Sequence, residues 1–118
     1  MTFLSSDLVI SKASDGSLST TMSEDLVSSS VDVRELSGIN IQLEYTGAPV
    51  GTFTLQASND RINPVPQTWN TIPFSATPIT SAGEYMLNVD SSYYGWIRVL
   101  YTRTSGTGTL NIKIVGKG

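Results

Sequence analysis

The side chains that could carry chemistry in this chain are carboxylates, hydroxyls and amides, because its 118 residues include no histidine and no cysteine. Nucleophile–base triads with histidine, and metal sites built on thiolates, are therefore excluded. A glycosidase would still need two carboxyl groups about 5 to 10 Å apart. Glu44 and Glu84 could meet in this way, but both occupy polar positions of alternating segments. We therefore expect solvated carboxylates, no catalytic residue and a protein that is not an enzyme.

Three turn-like segments offer oxygen ligands for a metal ion, namely Asp15 with Ser17, residues 59–63, and Asp90 with Ser91. Calcium takes about six to eight oxygen ligands at one site, and none of these segments has that density. Asp and Asn side chains also bond to the backbone two residues further on, which forms a turn. The three segments therefore predict Asx turns, and we expect neither a metal ion nor a cofactor.

Aromatic side chains provide the other candidate contacts. Tyr93, Tyr94 and Trp96 lie together, and Trp69 falls in a short strand-like segment. Exposed aromatic rings are frequent at binding surfaces, whereas buried rings belong to the core. The alternation favours burial of Trp69 and Trp96, which leaves Tyr94 as the main candidate for a surface contact. The candidate surface contacts are Tyr94, Trp69, Arg61 and Tyr93. Of these, Arg61 belongs to the proline-containing loop at 58–66.

The elements that position these side chains are predicted by strict alternation of apolar and polar residues. The clearest runs are 39–45, 53–57, 85–89 and 110–114. A period of two is typical of a strand with one buried face. The run 96–101 is apolar on both faces apart from Arg98, which predicts a central strand. No window combines apolar residues at helical spacing with a capping residue.

Short strands with turn signals about every 8 to 12 residues predict an all-β fold. We expect an antiparallel β-sandwich of the jelly-roll type, with about eight strands and no substantial helix. The turn at 46–49 predicts a hairpin between 39–45 and 53–57, and the turn at 105–108 predicts another. The expected core consists of Ile39, Ile41, Leu43, Phe53, Leu55, Trp69, Tyr85, Leu87, Val89, Ile97, Val99, Leu110, Ile112 and Ile114.

Residues 1–30 differ from the rest of the chain, because serine is frequent and the apolar runs are short. The turn signal at 14–17 predicts an edge hairpin that pairs 8–11 with 18–22. The alternative is an arm that docks on a neighbouring subunit. Residues 31–118 are expected to form the β-sandwich domain.

The charge of the chain argues against nucleic acid as a partner. The net charge is −3, and the seven basic residues are scattered along the sequence. Nucleic-acid binding needs clustered lysine and arginine, which displace counterions. No stretch approaches the ~18 apolar residues of a membrane span. The first residues lack the basic and long apolar regions of a signal peptide. We therefore expect no nucleic acid, no membrane and no export signal.

A first, local resemblance is carried by LQASND, by the tryptophan that follows it and by WIRVLY. These segments resemble the discoidin or galactose-binding-like jelly roll, in which an LxxSxDGxxW segment precedes a strand of the type YxRVxV. Arg61 stands where that family usually has glycine, and the loop after it is longer and contains proline. The resemblance implies a jelly-roll topology. The matching residues are Leu55, Ser58, Asn59, Asp60, Trp69, Trp96, Arg98 and Val99.

A second resemblance covers residues 39–118. The runs INIQLEYTGAPVGTFTLQASND, AGEYMLNVD and YYGWIRVLYTRTSGTGTLNIKIVGKG are similar to small β-sandwich virion proteins of tailed bacteriophages. In that group TGxPxGTxxLQxSND is followed by xxxRVxYTxTSGTGTLN. The resemblance implies a non-enzymatic structural protein of the phage particle, which decorates or cements the capsid or belongs to a fibre. Residues 1–30 lie outside it.

The expected partners follow from that resemblance and from the exposed strand edges. We expect a homo-oligomer, a closed three-fold ring, that contacts the major capsid protein or another virion protein. The expected location is the virion, after synthesis in the host cytoplasm. The alternative is a carbohydrate-binding or host-recognition module of a phage tail or fibre. In that case Tyr94 or Trp69 would stack on a host-surface glycan.

Overall fold

The computed structural model describes residues 3–59, 68–72, 75–90 and 94–118. Within these ranges every regular element is a β-strand, so the predicted all-β fold is confirmed and no helix could cross a membrane. The strands number eleven instead of about eight, because five of them have only two or three residues and are too short to show alternation. They are β1 (Phe3–Asp7), β2 (Ile10–Lys12), β3 (Leu26–Ser28), β4 (Val31–Asp32), β5 (Gly38–Gly47), β6 (Val50–Ser58), β7 (Asn70–Thr71), β8 (Thr77–Ile79), β9 (Gly83–Asp90), β10 (Trp96–Ser105) and β11 (Gly108–Lys117).

The strands form two antiparallel sheets that enclose one hydrophobic core. The four-stranded sheet has the order β1-β11-β5-β9. The seven-stranded sheet has the order β2-β3-β10-β6-β7, with β4 paired to β10 and β8 paired to β6. The run 96–101 lies in β10, which has neighbours on both sides, as its two apolar faces predict.

Consecutive strands β5 and β6 lie in opposite sheets, so the predicted hairpin between 39–45 and 53–57 is wrong. β5 pairs with β11 and β9, whereas β6 pairs with β10, β7 and β8. β10 and β11 also lie in opposite sheets, so the turn at 105–108 is a corner between sheets and not a hairpin. Alternation predicts which face of a strand is buried, but it does not predict which strand lies beside it.

The two corners pack against each other at one end of the sandwich. The backbone N–H of Ala48 donates a hydrogen bond to the carbonyl oxygen of Thr107 at 2.9 Å. Gly47 and Gly106 have φ angles of 83° and 73°, which glycine adopts without the strain that a Cβ would add. The glycines at these positions therefore allow the chain to cross from one sheet to the other in a few residues.

The buried face of the long strands agrees with the alternation, and Phe53 connects the two sheets across the core. Its ring centroid lies 5.5 Å from that of Tyr45 on β5 and 5.2 Å from that of Tyr101 on β10. Tilted rings at this spacing stabilise each other beyond simple burial. Nine further core residues were not expected, several of them in short or irregular segments: Ile10, Met22, Leu26, Val33, Leu36, Tyr45, Ala57, Ile79 and Tyr101.

Four residues of the expected core lie outside it. Tyr85 is 43% exposed, although its partner across the strands, Leu43, is fully buried. β9 is an edge strand, and Leu87 and Val89 on the same face are only partly buried. Trp69 is also half-buried, because it lies over the outer face of the seven-stranded sheet. The alternation of β9 does not show that it is an edge strand, because β5 alternates in the same way and has a neighbouring strand on each side.

The N-terminal segment contributes strands to both sheets. β1 pairs with β11, while β2 and β3 form one edge of the seven-stranded sheet. The predicted pairing of 8–11 with 18–22 is seen as an isolated bridge between Ser11 and Leu18, since the main partner of β2 is β3. That residues 1–30 dock on a neighbouring subunit stays a prediction.

Candidate functional site

A pocket of about 350 Å³ opens where the end of β6 meets β7. This volume lies near the lower end of the range for small-molecule sites, which is roughly 300 to 1,000 Å³. Its walls come from the end of β6, from the segment 68–72 around β7 and from the residue two positions before β10. The described lining residues are Ala57, Ser58, Asn59, Thr68, Asn70, Thr71, Ile72 and Tyr94.

One wall of the pocket is fixed by a contact between the end of β6 and the start of β10. The side-chain oxygen Oδ1 of Asn59 accepts a hydrogen bond from the backbone N–H of Gly95 at 2.8 Å. A Cβ on Gly95 would lie 3.0 Å from the carbonyl oxygen of Ser58, so the close approach favours glycine there. This contact holds Tyr94, the preceding residue, beside the end of β6.

The opposite wall is fixed by a buried hydroxyl. The backbone N–H of Ile72 donates to the carbonyl oxygen of Leu55 at 2.9 Å. The hydroxyl of Ser75 accepts from the N–H of Leu55 at 3.1 Å and donates to the carbonyl oxygen of Ile72 at 2.8 Å. These bonds hold the segment after β7 against β6 without a long strand ladder. Ser75 was not singled out by the sequence, because serine is frequent throughout the chain.

The described lining of the pocket is uncharged and combines polar with apolar groups. Asn59 and Asn70 offer amide groups, three further side chains offer hydroxyls, and Tyr94 adds a half-buried aromatic ring. The phenol of Tyr94 is the only titratable group among these lining residues. A carboxylate, imidazole or amine is the usual general acid or base. The described lining therefore suits binding of a neutral polar ligand better than acid–base catalysis.

Beside the pocket, Trp69 stacks on a guanidinium. The central carbon of the Arg98 guanidinium lies 4.3 Å from the Trp69 ring centroid, which is the geometry of a cation–π contact. Nε of Arg98 donates to the side-chain oxygen of Gln56 at 2.8 Å. Partial burial lowers the pKa of Arg98, although arginine remains protonated at any ordinary pH. Trp69 thus covers Arg98, while its neighbours Thr68 and Asn70 line the pocket.

The structure brings two of the four candidate surface contacts to one region. Tyr94 lines the pocket, and Trp69 lies between two residues that line it. Arg61 and Tyr93 lie outside the described residues, so their roles stay predictions. Three polar residues around β7, Thr68, Asn70 and Thr71, were not expected from the sequence. Their position beside a tryptophan at a strand end was the available signal.

Glu44 and Glu84, the pair that could have formed a hydrolytic site, face each other across β5 and β9. They lie on the outer face of the four-stranded sheet, where Glu84 is exposed and Glu44 is half-buried. Glu44 accepts hydrogen bonds from Gln42 at 3.0 Å and from Lys113 at 3.3 Å. The pair therefore lies on a flat, solvated surface and not across a cleft, as expected from its place in the alternation.

Trp96 was expected in the core and is half-buried instead. The guanidinium of Arg34 lies 5.6 Å from its ring centroid. Arg34 also makes a two-point contact with Asp32, with Nε to Oδ1 at 3.0 Å and Nη2 to Oδ2 at 2.6 Å. These hydrogen bonds lower the pKa of Asp32 below its usual value. The charge of Arg34 is thus matched by a carboxylate, whereas Arg98 donates to the neutral amide of Gln56.

The first of the predicted Asx turns is present. Oδ1 of Asp15 accepts from the N–H of Ser17 at 2.9 Å and from its hydroxyl at 2.7 Å, and these bonds lower the pKa of Asp15. For the other two turns, residues 60–63 and Ser91 lie outside the described residues. In the part of the chain that the structure describes, no three acidic side chains lie close enough to hold a metal ion.

Comparison with known proteins identifies the architecture. No protein-family model and no curated protein matches the chain significantly. Among solved structures, it is similar to chitosan-binding module 1 of a chitosanase/glucanase from Paenibacillus sp. IK-5, with 19% identity and a TM-score of 0.53. The match covers 96% of this chain and 92% of that chain. It shows a shared β-sandwich fold.

Proposed function

We propose that this domain is a carbohydrate-binding module that holds a sugar in the pocket between β6, β7 and Tyr94. The observation that carries the proposal is the described lining, which combines amides, hydroxyls and an aromatic ring without a charged group. The name of the structurally similar protein, a chitosan-binding module, supports the same class of ligand. The alternative drawn from the sequence is therefore better supported than a purely structural virion role.

The chemistry of the lining fits a sugar ring in two ways. Sugar hydroxyls donate and accept hydrogen bonds, and the amide of Asn70 can do both with one side chain. The oxygen of Asn59 already accepts from Gly95, so its NH2 group is the part that can donate to a sugar. A partly apolar ring face packs against aromatic and aliphatic groups, which Tyr94 and Ile72 provide. A few well-placed polar groups in a mainly preformed pocket are typical of small-ligand sites.

Binding without catalysis is part of the proposal. A glycosidase holds two carboxyl groups across the scissile bond. The described residues of the pocket include no carboxylate, and Glu44 and Glu84 lie on the other sheet. The structurally similar protein is also a binding module by name. We therefore propose that the domain is not an enzyme and that it delivers or retains a protein at a glycan.

Isothermal titration calorimetry with a panel of oligosaccharides, including chitosan oligomers, tests the proposal. The unchanged protein should bind at least one of them. Tyr94→Ala and Asn70→Ala should each weaken that binding about ten-fold or more, since each removes a hydrogen-bonding or packing group worth about 1.4 kcal/mol or more. Tyr85→Ala, on the edge strand of the other sheet, serves as a matched control and should bind like the unchanged protein.

Two results would overturn this function. One is the absence of heat for every glycan at millimolar concentration. The other is unchanged affinity in both Tyr94→Ala and Asn70→Ala, which would place any binding elsewhere. The thermal midpoint of each variant, measured alongside, separates loss of the site from loss of the fold.

A place in a phage particle, a homotrimer and a capsid partner stay proposals from the sequence. Glycan binding is compatible with a host-recognition module of a tail or fibre, which the sequence also suggested. Light scattering coupled to size-exclusion chromatography tests the trimer directly. A monomer at micromolar concentration would contradict the closed ring, and it would leave the sugar site unaffected.

A further inference from the structure

Arg98 is held in a fixed orientation on the outer face of the seven-stranded sheet. Its neighbours in β10, Ile97 and Val99, point into the core, so its own side chain points outward. Trp69 covers one side of the guanidinium, and Gln56 accepts from Nε. A planar guanidinium held in this way loses little side-chain entropy when it binds a ligand. Within the described residues, neither Nη group donates a hydrogen bond.

The same face of the sheet connects Arg98 to the pocket. In the strand register, Gln56 is opposite Arg98 on one side and opposite Thr71 on the other. These three residues therefore form one row across β10, β6 and β7, and Thr71 lines the pocket. Neighbouring strands are about 4.8 Å apart, so the backbones of Arg98 and Thr71 are roughly 10 Å apart. A ligand that leaves the pocket along this row comes within reach of the guanidinium.

The charge of Arg98 is not matched by a carboxylate within the described residues. The ion pairs found there join Lys12 to Glu24, Arg34 to Asp32, and Lys113 to Glu44. The partner of Arg98 is instead the neutral amide of Gln56. A partly buried cation with a neutral partner and a covering aromatic ring attracts an anion more strongly than an exposed one.

We propose that Arg98, oriented by Trp69 and Gln56, is a subsite for the carboxylate of an acidic sugar whose neighbouring ring occupies the pocket. The proposal rests on the carbohydrate-binding function above and names its ligand class, a glycan that contains uronic acid. The two Nη groups donate to the two carboxylate oxygens, in the end-on arrangement that remains when Nε is engaged. Gln56 and Trp69 are positioning residues, and the pocket supplies contacts to the neutral part of the chain.

The test compares a galacturonic acid trisaccharide with its methyl ester, which has nearly the same shape but no charge. Calorimetry should show that the unchanged protein binds the acid about ten-fold more tightly, as expected for one hydrogen-bonded charge pair. The preference should diminish as salt is raised, because the site is only partly buried. Arg98→Gln should bind the acid and the ester with equal affinity.

Arg34→Gln is the matched control, since Arg34 also lies over a tryptophan but is already paired with Asp32. It should keep the preference for the acid. Equal binding of acid and ester by the unchanged protein overturns the proposal, as does a preference that survives in Arg98→Gln. The ester comparison needs no variant, so equal binding of acid and ester would overturn the proposal even if Arg98→Gln does not fold.

The outcome for this subsite can be separated from that for the pocket. If neutral oligosaccharides bind and depend on Tyr94, while the acid has no advantage, then the subsite is wrong and the proposed function stands. If the protein binds no glycan of any kind, then both are wrong. A ten-fold preference for the acid that is lost only in Arg98→Gln supports both.

Discussion

Gly51 lies directly against the ring of Tyr101, where β6 passes β10. A Cβ added to Gly51 would lie 2.7 Å from Cε1 and 2.8 Å from the hydroxyl oxygen of Tyr101, and it would also meet the carbonyl oxygen of Thr102. The Tyr101 hydroxyl in turn donates to the carbonyl oxygen of Val50 at 3.3 Å. The ring therefore fills the space that a side chain at position 51 would occupy.

Gly51→Ala should destabilise the domain, because the added methyl group has no room between two strands. We expect a loss of about 1 to 3 kcal/mol in the free energy of unfolding, the usual cost of overpacking. Urea unfolding followed by tryptophan fluorescence measures it. Gly38→Ala is the matched control, since a Cβ there meets no atom within 4 Å. Equal stability of the two variants would contradict the close packing at Gly51.

How much of the fold could be predicted from the sequence depends on the length of each strand. In β5 and β11 the buried residues recur every second position for most of the strand, so their inward faces could be assigned. β7 and β8 have two and three residues, which is too few for a period to be visible. The partners of β5 were not predictable, because the chain leaves its sheet at Gly47 and the long-range pairing with β11 has no local signal.

Only part of the candidate site could likewise be predicted from the sequence. Tyr94 and Trp69 could be singled out by residue type, since exposed aromatic rings are common in binding sites. The row formed by Thr71, Gln56 and Arg98 exists only through the strand register, and these residues are distant in sequence. A sequence pattern therefore suggested the aromatic groups of the site but not the amide and guanidinium beside them.

Glu84→Lys should stabilise the domain. Glu84 lies opposite Glu44 on the outer face, and two like charges in this position oppose pairing of β9 with β5. Replacement by lysine creates an opposite-charge pair, so we expect a gain of about 0.5 to 1 kcal/mol at low salt. Glu84→Gln removes the repulsion alone and should give a smaller gain. Thermal unfolding at two salt concentrations measures both, and a gain that does not fall with salt would argue against a charge effect.

Stability should fall at alkaline pH because two tyrosines are buried. Burial raises the pKa of Tyr45 and Tyr101 above the usual value near 10. Below about pH 10 the two tyrosines keep their phenol protons in the folded and in the unfolded state, so their contribution to stability is fully present. At higher pH the unfolded chain loses these protons first, and the contribution is lost as the pH rises through the folded pKa.

Tyr101→Phe tests this pH dependence. The variant loses the hydrogen bond to Val50, which should cost about 1 kcal/mol at pH 7. Its thermal midpoint should then decline less steeply than that of the unchanged protein between about pH 9.5 and 11.5. Parallel curves over this range would show that ionisation of Tyr101 does not contribute to the alkaline loss.

Asn59→Ala should loosen one wall of the pocket. The side-chain oxygen of Asn59 is the acceptor for the N–H of Gly95, and its loss leaves that backbone donor without its partner. We expect a destabilisation of about 1 to 2 kcal/mol together with weaker sugar binding. Asn59→Asp keeps the acceptor and should retain most of the stability. If both variants are equally unstable, then the hydrogen bond is not what fixes this wall.

Met22→Ala should show that the N-terminal segment belongs to the folded sandwich. The side chain of Met22 is fully buried, and its backbone N–H donates to the carbonyl oxygen of Gly108 at 2.8 Å. Its truncation leaves a cavity in the core, which should cost about 2 to 5 kcal/mol. Leu18→Ala is the control, since Leu18 is 75% exposed and should change stability by less than about 0.5 kcal/mol. The urea midpoints of the two variants are compared with that of the unchanged protein. If residues 1–30 were a detachable arm, neither substitution would change the midpoint.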